Sequence, residues 1–206
     1  MTTRWQRIAR SGAGEDYATV YAERFRRLAE RGADVHGEAT FAAGLVDPPA
    51  RVLDAGCGTG RVAVRLHELG YDVVGVDVDE SMLTVARAEA PHLDWRLADL
   101  VAMDLGAEFD LVVVAGNTLP LLEDGALPAA CASLAAHTAP GGTVVSGFGL
   151  DADHLPGDCP VMPLAEVDAA MADAGLVPVA RHASWSGAPF EPGAGYVVAV
   201  HGRPDR

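Results

Sequence analysis

The 206-residue sequence predicts an α/β protein built as a three-layer sandwich. Helices should cover both faces of a seven-stranded, mostly parallel sheet, with the last strand antiparallel. Three observations predict this. Apolar runs of strand length alternate with segments of helical spacing, the pattern of strands joined by crossover helices. The strand runs are apolar almost throughout, as burial on both faces requires. The last two runs are separated by the Gly/Pro-rich loop Ser186 to Gly195, with no helix, so they can pair as an antiparallel hairpin.

Taken in order, residues 1–13 are polar, with Arg4, Arg7, Arg10 and an isolated Trp5, and read as a loosely held leader. Tyr17, Tyr21, Phe25 and Leu28 fall on one face of a helix from about Glu15 to Arg31, stopped by Gly32. A second helix spans Val35 to Leu45, ended by Asp47-Pro48-Pro49. The first strand is Val52 to Ala55, and the next helix carries Val62, Ala63, Leu66 and Leu69 before Gly70. Asp72 to Val78 is the second strand, and Asp79 can cap a helix that turns Met82, Val85 and Ala86 inward. Leu93 to Leu97 and Phe109 to Ala115 are the third and fourth strands. A helix marked by Leu127, Cys131 and Leu134 ends at Pro140-Gly141-Gly142, and Thr143 to Gly149 is the fifth strand. Pro163 opens the last helix. Leu176 to Ala183 and Tyr196 to His201 complete the sheet. The expectation is one domain, 1–206, with a helical part at 1–47 and the α/β core at 48–206.

Composition narrows the function. The net charge of −14 repels phosphate backbones, so nucleic acid is not an expected partner. No apolar run reaches membrane-spanning length, and the start lacks the apolar block of a signal peptide. Cys57, Cys131 and Cys159 form no CxxC pair and no metal framework, which suits a reduced cytoplasm. All 15 basic residues are arginine. A Walker phosphate loop and a pyridoxal-phosphate Schiff base both need lysine, so both are excluded.

Polar groups close successive strands: Asp54, Asp77, Asp99 and Asn117. In open α/β sheets ligands bind beyond the carboxyl ends of the strands. Gly56, Gly58 and Gly60 alternate through the first strand–helix turn, where the lack of Cβ lets a ligand approach and helix N–H groups face it. Asp77, about twenty residues beyond that turn, can accept bonds from both hydroxyls of a ribose. Asp99 can meet an exocyclic amine such as that of adenine, and Asp54 an ammonium group. Ribose, adenine and an amino-acid end together describe S-adenosylmethionine. Each aspartate also has a plainer role as a turn or cap residue.

The motifs are similar to those of class I S-adenosylmethionine-dependent methyltransferases. Asp54 to Gly60, DAGCGTG, resembles the family's first motif, and Val74 to Met82, VGVDVDESM, its second. Ala98-Asp99-Leu100 resembles the third, FDLVVVAGN the fourth, and TAPGGTV the lead into the fifth strand. The resemblance covers about Arg51 to Arg203. It implies a Rossmann-like core in which Asp77 holds ribose, Asp99 and the Leu100 amide read adenine, and Val78 and Met82 line the adenine site. It also implies a helical lid at 1–47 and places Asn117 near the reactive methyl. Tyr17 and Tyr21 can close over the cofactor from that lid, with Tyr21 the expected contact, though their spacing with Phe25 and Leu28 also fits a packing face for at least one of them. Gly56, Gly58 and Gly60 then seat the amino-acid end.

The expected function is methyl transfer to a small-molecule acceptor by in-line displacement, mainly through proximity and orientation. Thr118-Leu119-Pro120 follows Asn117, not the Pro-Pro-aromatic run of methyltransferases acting on nucleic-acid bases or glutamine. A base is needed only where the acceptor arrives protonated. His154, just after the fifth strand, is the catalytic candidate beside Asn117, with His36 and Asp153 as further base candidates. Trp185 and Phe190 either line a pocket or cover the sheet. An NAD(P)-dependent oxidoreductase is the main alternative, since Gly58 to Ala63 satisfies a loose GxGxxA pattern. Asp54 beside a pyrophosphate argues against it. A non-catalytic S-adenosylmethionine-binding protein of the same fold is the other. The expected state is a monomer or homodimer.

Overall fold

The computed structural model describes residues 2–205; the ends of the expected domain, Met1 and Arg206, lie outside the described residues. A seven-stranded sheet has the order β3-β2-β1-β4-β5-β7-β6. Its strands are β1 (Arg51–Ala55), β2 (Asp72–Asp77), β3 (Asp94–Leu97), β4 (Phe109–Val114), β5 (Thr138–Gly149), β6 (Val177–His182) and β7 (Tyr196–Gly202). β1 pairs in parallel with β2 and β4, and β7 runs antiparallel to both β5 and β6. The strand order reverses direction from β1, stepping out to β2 on one side and β4 on the other. That is where a doubly wound sheet opens a crevice.

The strands are apolar at consecutive positions because both faces are covered. Leu53, Val112 and Val114 pack with Leu134 of α6 (Leu127–Ala136) and Met171 of α7 (Leu164–Asp173). Val52, Leu111 and Val113 pack on the other face with Leu66 of α4 (Arg61–Glu68) and Leu83 of α5 (Glu80–Glu89). Each fully buried aliphatic side chain contributes roughly 1.5–3 kcal/mol. The edge strand β6 departs from this pattern, with Val179 66% exposed. It has a neighbour on one side only.

Two expectations need correction. β5 begins at Thr138, ahead of Pro140-Gly141-Gly142. The Gly141 N–H donates to the Arg203 carbonyl (3.0 Å) and the Arg203 N–H to the Gly142 carbonyl (2.8 Å). This pairing draws the turn-rich segment into the sheet. The second correction concerns the first thirteen residues. They are not a loose leader: Arg4–Ala13 form helix α1. Thr3 caps it with a reciprocal Thr3–Gln6 capping box. Helices α2 (Tyr17–Glu30) and α3 (Gly37–Ala43) follow as expected.

Candidate active site

The β1–α4 turn is shaped by its glycines. Gly56, Gly58 and Gly60 all have positive φ, at 80°, 56° and 85°. A Cβ on Gly56 would lie 2.6 Å from the Thr118 side chain, and one on Gly60 would lie 2.4 Å from the Trp95 ring. Dihedral and space therefore both demand glycine. Several N–H groups of the turn are already committed within the protein. Gly56 and Cys57 donate to the Val76 carbonyl (2.8 and 2.9 Å), and Gly58 donates to Asp77 Oδ2 (2.7 Å).

The strand-end carboxylates differ in environment. Asp54 is 1% exposed, and among the described residues its side chain accepts one hydrogen bond, from the Ala63 N–H at 3.0 Å. Burial pushes its carboxyl up to about 7, against the opposing pull of that N–H and of Arg61. Asp77 is also buried, and burial raises it to about 6 despite N–H groups from Asp79 (2.9 Å) and Gly58. Asp99 sits two residues past β3, exposed, and accepts the Val101 N–H at 3.0 Å. Buried acids that titrate near neutrality mark a candidate functional site.

These groups line one cavity of about 360 Å³ at the carboxyl ends of β1, β2 and β4. Asp54, Gly56, Gly58, Asp77 and Asp99 face it, as sequence reading expects. Val78, Met82, Leu100 and Tyr21, also expected, line it as well. The size suits a small molecule.

Three expected residues lie outside that lining. Gly60 gives its space to Trp95, a packing role. Asn117 is the one non-glycine with positive φ among the described residues, at 65°. Its side chain is used as a brace: Oδ1 accepts the Gly149 N–H (2.7 Å), and Nδ2 donates to the His154 carbonyl (3.1 Å). His154 is half-exposed, and its Nδ1 lies 2.7 Å from Asp151 Oδ1. The bonded pair holds the Asp151 carboxyl below its usual range. Both residues stand on the same rim as the cavity, and Asn117 falls between the lining residues Gly116 and Thr118. His36 is exposed at the start of α3, outside the lining. Trp185 stacks edge-on against Phe41 and donates to the Tyr196 hydroxyl (3.0 Å), so it covers the sheet.

Sequence reading missed Trp5, Arg61, Thr118 and Glu123, all of which line the cavity. Arg61 is held by a bidentate pair with Glu38 and by the Val35 carbonyl, ties that the sequence does not display. Trp5 was legible in part. Thr3 and Gln6 carry the capping-box spacing, and Trp5 and Ala9 are one turn apart. Of the two tyrosines, Tyr17 is buried with its hydroxyl 2.6 Å from Asp79 Oδ2, while Tyr21 lines the cavity.

The site coincides with a known family. A family model described as a methyltransferase domain matches residues 52–142. A TehB-like SAM-dependent methyltransferase from Corynebacterium glutamicum has a similar structure, with a TM-score of 0.82 and 30% identity, covering 92% of this chain and 98% of that one. The CcbJ methyltransferase from Streptomyces caelestis has a TM-score of 0.70 at 26% identity, covering 82% of this chain and 90% of that one. A dTDP-3-amino-3,4,6-trideoxy-alpha-D-glucopyranose N,N-dimethyltransferase from Streptomyces venezuelae is 37% identical over 120 residues, 56% of this chain and 51% of that protein. The chain spans about half the length, or less, of the curated relatives it matches. The chain belongs to the class I S-adenosylmethionine-dependent methyltransferases. Among the described residues no helix is long and apolar enough to cross a membrane.

Proposed function

We propose that this protein transfers the methyl group of S-adenosylmethionine to a small-molecule acceptor. The observation that carries the reading is the convergence of Asp54, the glycine turn, Asp77 and Asp99 on one cavity. Asp54 is the group for the ammonium end. It is buried, it has one protein hydrogen bond among the described residues, and a cation beside it would favour full ionisation. A pyrophosphate there would meet a carboxylate instead, which disfavours a dinucleotide. Asp77 is the ribose acceptor, held by two backbone N–H groups that leave lone pairs to spare. Asp99 and the Leu100 amide read adenine, with Val78 and Met82 as apolar walls and Tyr21 above. The helical segment 1–47 is the lid of this site, and 48–206 its core.

When bound, S-adenosylmethionine supplies an activated methyl carbon. The chain's own contribution is to bind both partners in line and exclude water. Asn117 acts as a positioning residue that sets the ends of β4 and β5. His154 acts as the proton acceptor: Asp151 holds its Nδ1 and leaves Nε2 to take a proton from the acceptor. Two relatives named as amino-sugar N,N-dimethyltransferases support nitrogen as the methylated atom.

Calorimetry tests the cofactor assignment. Micromolar-scale binding of S-adenosylmethionine or S-adenosylhomocysteine is expected, and binding of NADP with neither of these would overturn it. Transfer of labelled methyl to small amines separates an enzyme from a protein that only binds the cofactor.

A further inference from the structure

We propose that Tyr196 is a specificity-determining residue of the acceptor site, whose hydroxyl donates a hydrogen bond to an oxygen next to the nitrogen that is methylated. The acceptor is then an amine flanked by a neutral oxygen, as in a vicinal amino alcohol. The inference rests on the methyl-transfer reading above, with His154 as the proton acceptor.

The backbone is cleared for this side chain. Tyr196 opens β7 and pairs with Gly149 of β5, the residue whose N–H Asn117 Oδ1 accepts. The Tyr196 hydroxyl lies against Gly147: a Cβ there would stand 2.8 Å from the hydroxyl oxygen and would also strike the Trp185 ring. The Gly147 carbonyl accepts the Asn117 N–H (3.3 Å), and Asn117 falls between the cavity residues Gly116 and Thr118. Tyr196 therefore stands on the rim beside the cofactor cavity, outside its lining.

His154 is given room in the same way. A Cβ on Gly195 would lie 2.5 Å from His154 Nδ1, and one on Gly149 would lie 2.6 Å from the His154 carbonyl oxygen. The Leu150 N–H donates to the Gly195 carbonyl (2.8 Å), which ties the two loops together. The His154 and Tyr196 rings stand 6.4 Å apart, centroid to centroid.

The two rings offer opposite hydrogen-bonding roles. Asp151 holds His154 Nδ1 and leaves Nε2 to accept. Trp185 Nε1 donates to the Tyr196 oxygen at 3.0 Å, so Trp185 is a positioning residue. That bond occupies a lone pair and leaves the O–H, which among the described residues donates to no protein group. Burial pushes the hydroxyl up to about 12, against the Trp185 N–H and with the Glu38 charge, so it keeps its proton to donate. Rings this close address neighbouring atoms of one small molecule. Nitrogen yields its proton at Nε2, and the adjacent oxygen receives the Tyr196 O–H. The Glu38 charge disfavours a carboxylate at that position and favours a hydroxyl or ether oxygen.

Transfer of labelled methyl to trans-2-aminocyclohexanol and to cyclohexylamine, which differ by one hydroxyl, tests this on the full chain. Wild type should favour the amino alcohol in kcat/KM by about tenfold or more, since a site built to bond a hydroxyl rejects the analogue that lacks it. Tyr196→Phe should lower that ratio by about tenfold, chiefly through KM. Trp185→Phe, a second and milder variant, should lower it by about threefold. His154→Ala should slow both amines alike and keep the ratio. Calorimetry with S-adenosylhomocysteine shows that each variant is folded, and should Tyr196→Phe fail there, Trp185→Phe carries the comparison. A wild-type ratio near one, or a ratio unchanged in the folded variants, overturns the proposal. Where neither amine is turned over, calorimetry of both amines on the S-adenosylhomocysteine complex reads the same preference. Binding of neither amine, or of both equally, then overturns it. Should wild type fail to bind S-adenosylhomocysteine, the cofactor reading falls, and amine binding to the free protein still judges Tyr196.

Discussion

The two halves of the sheet's carboxyl rim are built differently. On the β1–β2–β3 side, Asp54, Asp77 and Asp99 are each held by backbone N–H groups: Asp54 by Ala63 in the first turn of α4, Asp77 by Gly58 of the β1–α4 turn and by Asp79, and Asp99 by Val101. On the β4–β5–β7 side, the groups are held by partners distant in the chain. Asn117 braces Gly149 and His154, and Trp185 bonds Tyr196 across the late loop. The first half depends on backbone donors at the strand ends and helix starts. The second depends on tertiary contacts, which can be rearranged to suit a substrate.

The largest expected effect breaks the second half. With a nitrogen acceptor that arrives protonated, His154→Ala should lower turnover by about 10²–10⁴-fold. Binding of S-adenosylhomocysteine should be unchanged. Undiminished turnover would remove His154 from the chemistry.

In the first half, Asp77→Ala should weaken S-adenosylhomocysteine binding by ~1–3 kcal/mol, measured by calorimetry. An unaltered affinity would take Asp77 out of the ribose site.

The pH dependence sharpens the role of Asp54. Its carboxyl is pushed up to about 7 without ligand. An ammonium partner favours the ionised form, so binding expels a proton below that pH. Affinity should be greatest above pH 7 and fall by up to about tenfold per unit below it. Asp54→Asn should flatten the profile. For folding, the sign is the reverse. The folded carboxyl keeps its proton up to about 7, while the unfolded one releases it near ~3.9, so this stabilisation is lost as pH rises between them. Thermal melts of the ligand-free protein should record that decline.

The smallest effect tests the brace. Asn117→Ala loses two side-chain hydrogen bonds and keeps a positive φ, which should cost about 1–2 kcal/mol. Asn117→Gly relieves the dihedral and should cost less. Equal melting temperatures for the two would assign the loss to hydrogen bonds alone.

The strand–helix alternation, the glycine turn and the acids at strand ends were all legible along the chain. Each follows from a short-range rule: apolar runs buried on two faces, positive φ at glycine, and a carboxylate beside backbone donors. Helix α1 was half legible, since its capping box is local but its reason to dock is not. The polar face that reads as a loose leader is the face that grips Glu123 and Asp124. Only tertiary structure decided that Trp5 and Arg61 join the cavity while Asn117 and His154 stand beside it. Those placements depend on contacts between residues 23 to 120 positions apart, which no local pattern encodes.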